Sequence, residues 1–144
     1  DVENPSYEQV CSGSTNHAEV VQLSFNPEEV SVDTLLEVFF AIHDPTTLNR
    51  QGDDIGSQYR STIIVNSQQQ RQSAEAKIEQ LSQANVFEQP IVTTVVTERN
   101  FYPAENYHQN YYNNNQDNQY CQLVVAKKIQ KFLSEFSHLL KPEL

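Results

Sequence analysis

Two kinds of apolar pattern take turns along this chain, and their order restricts the fold more than any other feature. Ala18 to Phe25 carries apolar residues at a strand's two-residue spacing. After the turn-forming "NPEE", Ser31 suits a helix cap, and Val32, Leu35, Leu36 and Phe39 follow at helical spacing to about Ile42, with Asp33 in the favoured first turn. Thr62 to Val65 is a short strand. Ser67 to about Gln83 is a polar helix with Ala74, Ile78 and Leu81 on one stripe, and Ile91 to Thr97 is a β-branched strand. Pro103 fits the first position of a helix to about Asn113. A last helix covers about Leu123 to His138, with Val125, Ile129, Phe132 and Phe136 in register. Alternation of this kind predicts a mixed class, a sheet covered by helices, in one domain spanning residues 1–144. Three strands are few for such a sheet, so elements upstream of Asp1 are expected to be missing.

The segments between these elements are unequal. His43 to Ser61 is long for a connection in a compact domain, and long ordered loops are usually functional. The polar run "NNNQDNQ" before Cys121 has no apolar periodicity, which predicts that residues 113–121 are less ordered than the helices flanking them. No run of eighteen apolar residues is present, so no membrane contact is expected. A net charge of −10 disfavours nucleic acid and anionic lipid, and "AKKIQK" reads as the solvated face of the last helix. The chain has no methionine, which leads us to expect a processed or partial chain, and its two cysteines, Cys11 and Cys121, do not make a disulfide scaffold.

Chemistry concentrates around the glycines. There are only three, and all lie in "CSGSTNHAE" and "RQGDDIGSQYR", flanked by Tyr7, His17, Glu19, Asp53, Asp54 and Tyr59. On a strand, Glu19 shares its face with Val21, Leu23 and Phe25, which would set its carboxyl at the rim of the core, partly desolvated and close to Tyr7 and Tyr59. Burial favours the neutral acid, which can donate a proton. The alternative is a rim glutamate that swings out to solvent. His17, His43 and Asp44 offer no tight metal-ligand pair, so no metal is expected. Phosphate-binding loops and "GxSxG" are absent.

"NPSYEQVCSGSTNHAEVVQ", "FFAIHDPTTLNRQGDDIGSQYRS", "FYPAENYHQNYY" and "YCQLVVAKKIQKF" resemble, in order, segments of the class A peptide methionine sulfoxide reductases. The resemblance covers essentially the whole chain. It implies an α+β fold, a ferredoxin-like two-layer α/β sandwich with an irregular C-terminal extension, here without its first strand-helix-strand portion. It implies thiol-dependent reduction of methionine S-sulfoxide, free or in proteins, with no cofactor. By motif, Glu19 is similar to the acid that protonates the sulfoxide oxygen, Tyr7 and Tyr59 to the phenols that bind it, and Asp54 to a second site carboxylate. Cys121 resembles a resolving cysteine, and Cys11 a loop cysteine that is not the nucleophile.

The family's nucleophile lies in a "GCFW" motif that these 144 residues, which contain no tryptophan, do not hold. "AKK" stands where the family often has a proline-lysine pair. The expectation is an enzyme for the parent protein and an inactive chain in isolation. The alternative is a non-catalytic module that binds oxidised methionine. The implied partners are oxidised methionine in peptides or proteins and a thioredoxin-like dithiol reductant. A cytoplasmic monomer is expected.

Overall fold

The computed structural model describes residues 17–97 and 126–140. The expected helix at 103–113, the polar run before Cys121, and Tyr7, Cys11 and Cys121 themselves lie outside the described residues.

Helix α1, Val32–Ile42, forms where its spacing predicts. Ser31 caps it, its Oγ accepting from Thr34 N at 3.1 Å, and Leu36 and Phe40 are its buried residues. At the other end His43 leaves the helix with extended dihedrals, and its Nδ1 donates to the carbonyl of Phe39, one of the acceptors a helix end leaves open. Upstream of the helix, Asn26 organises the turn: Glu29 N and Val30 N donate to its carbonyl at 2.9 and 3.0 Å, and Glu28 N donates to its Oδ1 at 3.0 Å.

The centre of the described fold is a strand-helix-strand unit. Strand β3, Thr62–Val65, pairs in parallel with β4, Thr94–Thr97, in the register Thr62 to Thr94 through Val65 to Thr97. Helix α2, Gln68–Gln83, is the crossover and packs on both strands. Ser67 Oγ accepts from Gln70 N at 3.1 Å while Gln70 Oε1 accepts from Asn66 N at 2.9 Å, a reciprocal cap. The helix ends on Asn85 at φ 52°. Asn85 N donates to Ser82 O and Val86 N to Leu81 O, the pairing by which a left-handed residue satisfies the last carbonyls. Arg71 ties its first turn to β4, donating to Val95 O at 3.0 Å and to Thr97 Oγ1 at 2.9 Å.

Helix α2 also packs on α1. Ala74 is buried and Ile78 and Leu81 are half-buried, as their stripe predicts. Lys77 shares that buried face at 4% exposure, its Nζ 2.9 Å from Asp33 and 3.5 Å from Glu37 on α1. Helix α3, Ala126–Phe136, lies against α1 with Ile129, Phe132 and Phe136 half-buried, and runs into a short 3-10 turn, Ser137–Leu139. Among the described residues no helix is long and apolar enough to cross a membrane.

The mixture is α+β, as expected, but two sequence expectations change. Ala18–Phe25 is not a strand: among the described residues no strand pairs with it, and Val21 and Leu23 are 82% and 60% exposed. Alternation shows that a segment could pair, but a strand forms only beside another, and β3 and β4 pair with each other. The second strand is shorter than Ile91–Thr97, because Val92 N donates at 2.8 Å to Pro45 O, outside the ladder.

Candidate functional site

The long connection from His43 to Ser61 is fully built. Asp44 Oδ1 accepts from Thr46 N at 2.9 Å and from Thr46 Oγ1 at 2.5 Å. The Thr46 hydroxyl holds the Asp44 carboxyl below its ordinary range, helped by the Thr46 amide and the nearby His43 and opposed by slight burial. The Gln51 side chain pairs with the Asp44 backbone on both sides: Asp44 N donates to Oε1 at 3.1 Å and Nε2 donates to Asp44 O at 2.5 Å. Pro45, between these anchors, is fully buried.

Two strands of two residues each follow, β1, Arg50–Gln51, and β2, Asp54–Ile55, paired antiparallel across Gly52-Asp53. Elements this short carry no periodicity, so the sequence reads as plain loop. Asn49 and Gly52 take left-handed dihedrals at φ 50° and 56°, and Gly56 N closes the hairpin by donating to Asn49 O at 2.9 Å. Gly56 itself sits at φ 146°, where side chains are strained. A single 3-10 turn, Ser57–Tyr59, comes next, with Tyr59 N donating to Gly56 O at 3.0 Å and Arg60 N to Ser57 O at 3.2 Å. The Arg60 guanidinium donates to the same Ser57 carbonyl at 2.8 Å.

This turn receives the N-terminal segment. Glu19 N donates to Gln58 O at 2.8 Å, and Gln58 is buried at 4% exposure. The structure therefore brings the backbone of Glu19 onto the turn that carries Tyr59, with Asp54 on the hairpin just before it. Asp54 and Tyr59 are half-buried, but Glu19 is exposed. The expected burial of Glu19 at a strand end is overturned, because it depended on a strand that does not form. Tyr7 and Cys121 lie outside the described residues, so their places relative to Glu19 are not part of this geometry.

Sequence reasoning considered His43 only as a metal ligand. Among the described residues no three of His, Cys, Asp and Glu could hold a metal ion. His43 instead heads a chain of hydrogen bonds. Its Nδ1 faces the Phe39 carbonyl, which can only accept, so Nδ1 carries the proton and Nε2 accepts from Ser61 Oγ at 2.7 Å. Ser61 Oγ in turn accepts from Thr93 Oγ1 at 2.7 Å. The ring stacks 3.9 Å, centroid to centroid, from Phe39. Burial lowers the His43 pKa from its ordinary 6.5, the Phe39 carbonyl and Asp44 oppose this, and Lys128 adds to it. The available signal was a histidine directly after an apolar helix, where a side-chain donor can cap the last turn. An open groove of about 700 Å³ beside His43, lined among others by Ile42, Phe87 and Lys128, includes none of Glu19, Asp54 and Tyr59.

A family model described as peptide methionine sulfoxide reductase matches residues 1–139. A Chromobacterium violaceum protein named peptide methionine sulfoxide reductase MsrA is 52% identical over 139 residues, 96% of this chain and 79% of its own length. A Nitratiruptor protein of the same name is 50% identical over the same shares. The crystal structure of Mxr1 from Saccharomyces cerevisiae in reduced form is similar at TM-score 0.74 and 39% identity, over 84% of this chain and 66% of that one. Methionine sulfoxide reductase A of Corynebacterium diphtheriae is similar at TM-score 0.67 and 33% identity, over 80% of this chain. The chain spans 59% of that structure's length, so it covers less than two thirds of either solved chain.

Proposed function

Because the chain belongs to the peptide methionine sulfoxide reductase family, we propose that it forms the acid-bearing and oxygen-binding part of an enzyme that reduces methionine S-sulfoxide. The observation that carries this reading is the 2.8 Å bond from Glu19 N to Gln58 O. It joins "HAE" to "GSQY", two segments far apart in sequence that both lie within the family match.

In this reading a thiolate attacks the sulfoxide sulfur. The Glu19 carboxyl delivers a proton to the departing oxygen while the phenols of Tyr59 and Tyr7 hold it, and Asp54 supplies the second carboxylate of the site. The attack joins the two sulfurs as the protonated oxygen leaves as water. A water then adds to the thiol's sulfur, the S–S bond breaks, and a sulfenic acid and the thioether result, the proton released returning to the site. The thiol of Cys121 then condenses with the sulfenic acid, releasing water and leaving a disulfide, and an external dithiol of thioredoxin type reduces that disulfide and is itself oxidised. The resemblance places the attacking thiol in a "GCFW" motif, which these 144 residues do not contain, and in this reading another segment supplies it. Glu19 is exposed here. The desolvation that favours its protonated form would come from the substrate and from the segment bearing the nucleophile.

The test uses a peptide carrying resolved S- and R-sulfoxides, with dithiothreitol as reductant. The intact protein should convert the S epimer alone, and residues 1–144 alone should convert neither. Binding of the S epimer by the intact protein without turnover would replace the enzyme with a recognition module. In the intact protein, Cys121→Ser should leave the first turnover nearly unchanged and abolish recycling by a dithiol protein. Undiminished recycling would remove Cys121 from the scheme.

A further inference from the structure

Tyr59 closes a 3-10 turn whose downstream anchor is Ser61. Ser61 is 5% exposed and held three ways. Its hydroxyl donates to His43 Nε2 at 2.7 Å and accepts from Thr93 Oγ1 at 2.7 Å, and its carbonyl accepts from Thr94 N at 3.1 Å. Upstream, Tyr59 N donates to Gly56 O, and the Arg60 side chain returns to Ser57 O. The turn is thus fixed at both ends, and its downstream end is fixed by a side-chain chain running from the last turn of α1 to the start of β4.

We propose that His43 and Thr93 are positioning residues for the reaction: by clamping Ser61 they fix the phenol of Tyr59, two residues away, against the sulfoxide oxygen. This rests on the function proposed above. Capping α1 requires only His43 Nδ1, which faces Phe39 O. The bond from Nε2 to Ser61 spans eighteen residues and lies outside the helix. Its polarity is set by the cap, because a neutral ring that donates at Nδ1 must accept at Nε2, which orients the Ser61 and Thr93 hydroxyls in one direction. The charged groups that act on the ring are Lys128, on α3, and Asp44. Lys127, Lys131 and Glu88 line the same groove. A phenol that stabilises charge only as the S–O bond breaks is sensitive to small displacements, whereas binding of the thioether part of the substrate is not.

The experiment measures single-turnover reduction of an S-sulfoxide peptide in the intact protein. Ser61→Ala should lower the rate about 10-fold, equal to about 1.4 kcal/mol, with half-saturation by the sulfoxide changed less than about twofold. Thr93→Val should also slow the reaction, and Thr93→Ser, which keeps the hydroxyl, should restore it. This pair carries the test if Ser61→Ala does not fold. In a Tyr59→Phe background the effect of Ser61→Ala should shrink to less than about twofold, since both changes act on one phenol. A wild-type rate in Ser61→Ala and Thr93→Val, or an undiminished loss in the Tyr59→Phe background, overturns the positioning role while leaving the proposed function intact. An unchanged rate in Tyr59→Phe itself removes Tyr59 from the site and the positioning role with it.

Discussion

Lys77 leads to a prediction that inverts the usual expectation for an ion pair. The lysine is buried at 4% exposure, whereas the carboxylates that face it, Asp33 and Glu37, are 63% and 54% exposed. Removing one side of such a pair is costly only if it strands a buried charge on the other. Lys77→Met keeps the stem packed between α1 and α2 and frees two carboxylates that are already wet. Its cost should stay within about 1 kcal/mol, the range of a largely exposed pair. Asp33→Asn with Glu37→Gln leaves the ammonium buried without a countercharge and should cost about 3 kcal/mol. Lys77→Ala removes about three buried methylenes at about 0.8 kcal/mol each, so it should fall between, near 2.4 kcal/mol. Urea unfolding of the intact protein near neutral pH measures all three, with unchanged slopes confirming that the native and denatured states remain comparable. A Lys77→Met variant as unstable as the double carboxamide variant would mean that the ion pair itself, not the stranded ammonium, sets the cost.

Two further predictions concern the connection before Tyr59. The His43 pKa is lowered on folding, so the unfolded chain binds the proton more readily; stability is retained above about pH 6.5 and lost as the pH falls from there through the folded value. Asp44 is also lowered, but from 3.8, so its window lies at more acid pH. Below about pH 6.5, unfolding free energy should therefore fall more steeply in wild type than in His43→Gln, and parallel curves would show that His43 does not titrate on unfolding. Gly56→Ala meets no close contact, its new Cβ lying 3.6 Å from Gln58 Oε1, so its cost should be the backbone strain at φ 146°, about 1–3 kcal/mol by denaturant unfolding. A neutral substitution would mean that the turn relaxes without strain.

The parts of the fold legible in the sequence are those fixed by local chemistry. Ser31 and Ser67 cap their helices through their hydroxyls, and the stripe of Ala74, Ile78 and Leu81 faces inward as its spacing indicates. What sequence reasoning missed depends on distant partners. Val21 and Leu23 alternate as in a strand but lie exposed, because alternation does not supply a neighbour to pair with. The hairpin of β1 and β2 is too short for any period to register. Lys77 was legible in principle: it falls on the apolar stripe of α2, while Asp33 and Glu37, four residues apart, share one side of α1. The ordered connection carries Asp54 and Tyr59 on adjacent elements. The burial expected of Glu19 does not occur, because it was inferred from a strand that is not formed.

Glu19, docked by its own amide on the Gln58 carbonyl, is the acid proposed above for the sulfoxide reduction. The most direct measurement is the single-turnover rate of S-sulfoxide reduction by the intact protein with Glu19→Gln. The amide can still donate a hydrogen bond to the oxygen but cannot deliver a proton, so the rate should fall about 100-fold or more. A rate equal to wild type from about pH 6 to 9 would contradict the account, because no step would then depend on the carboxyl.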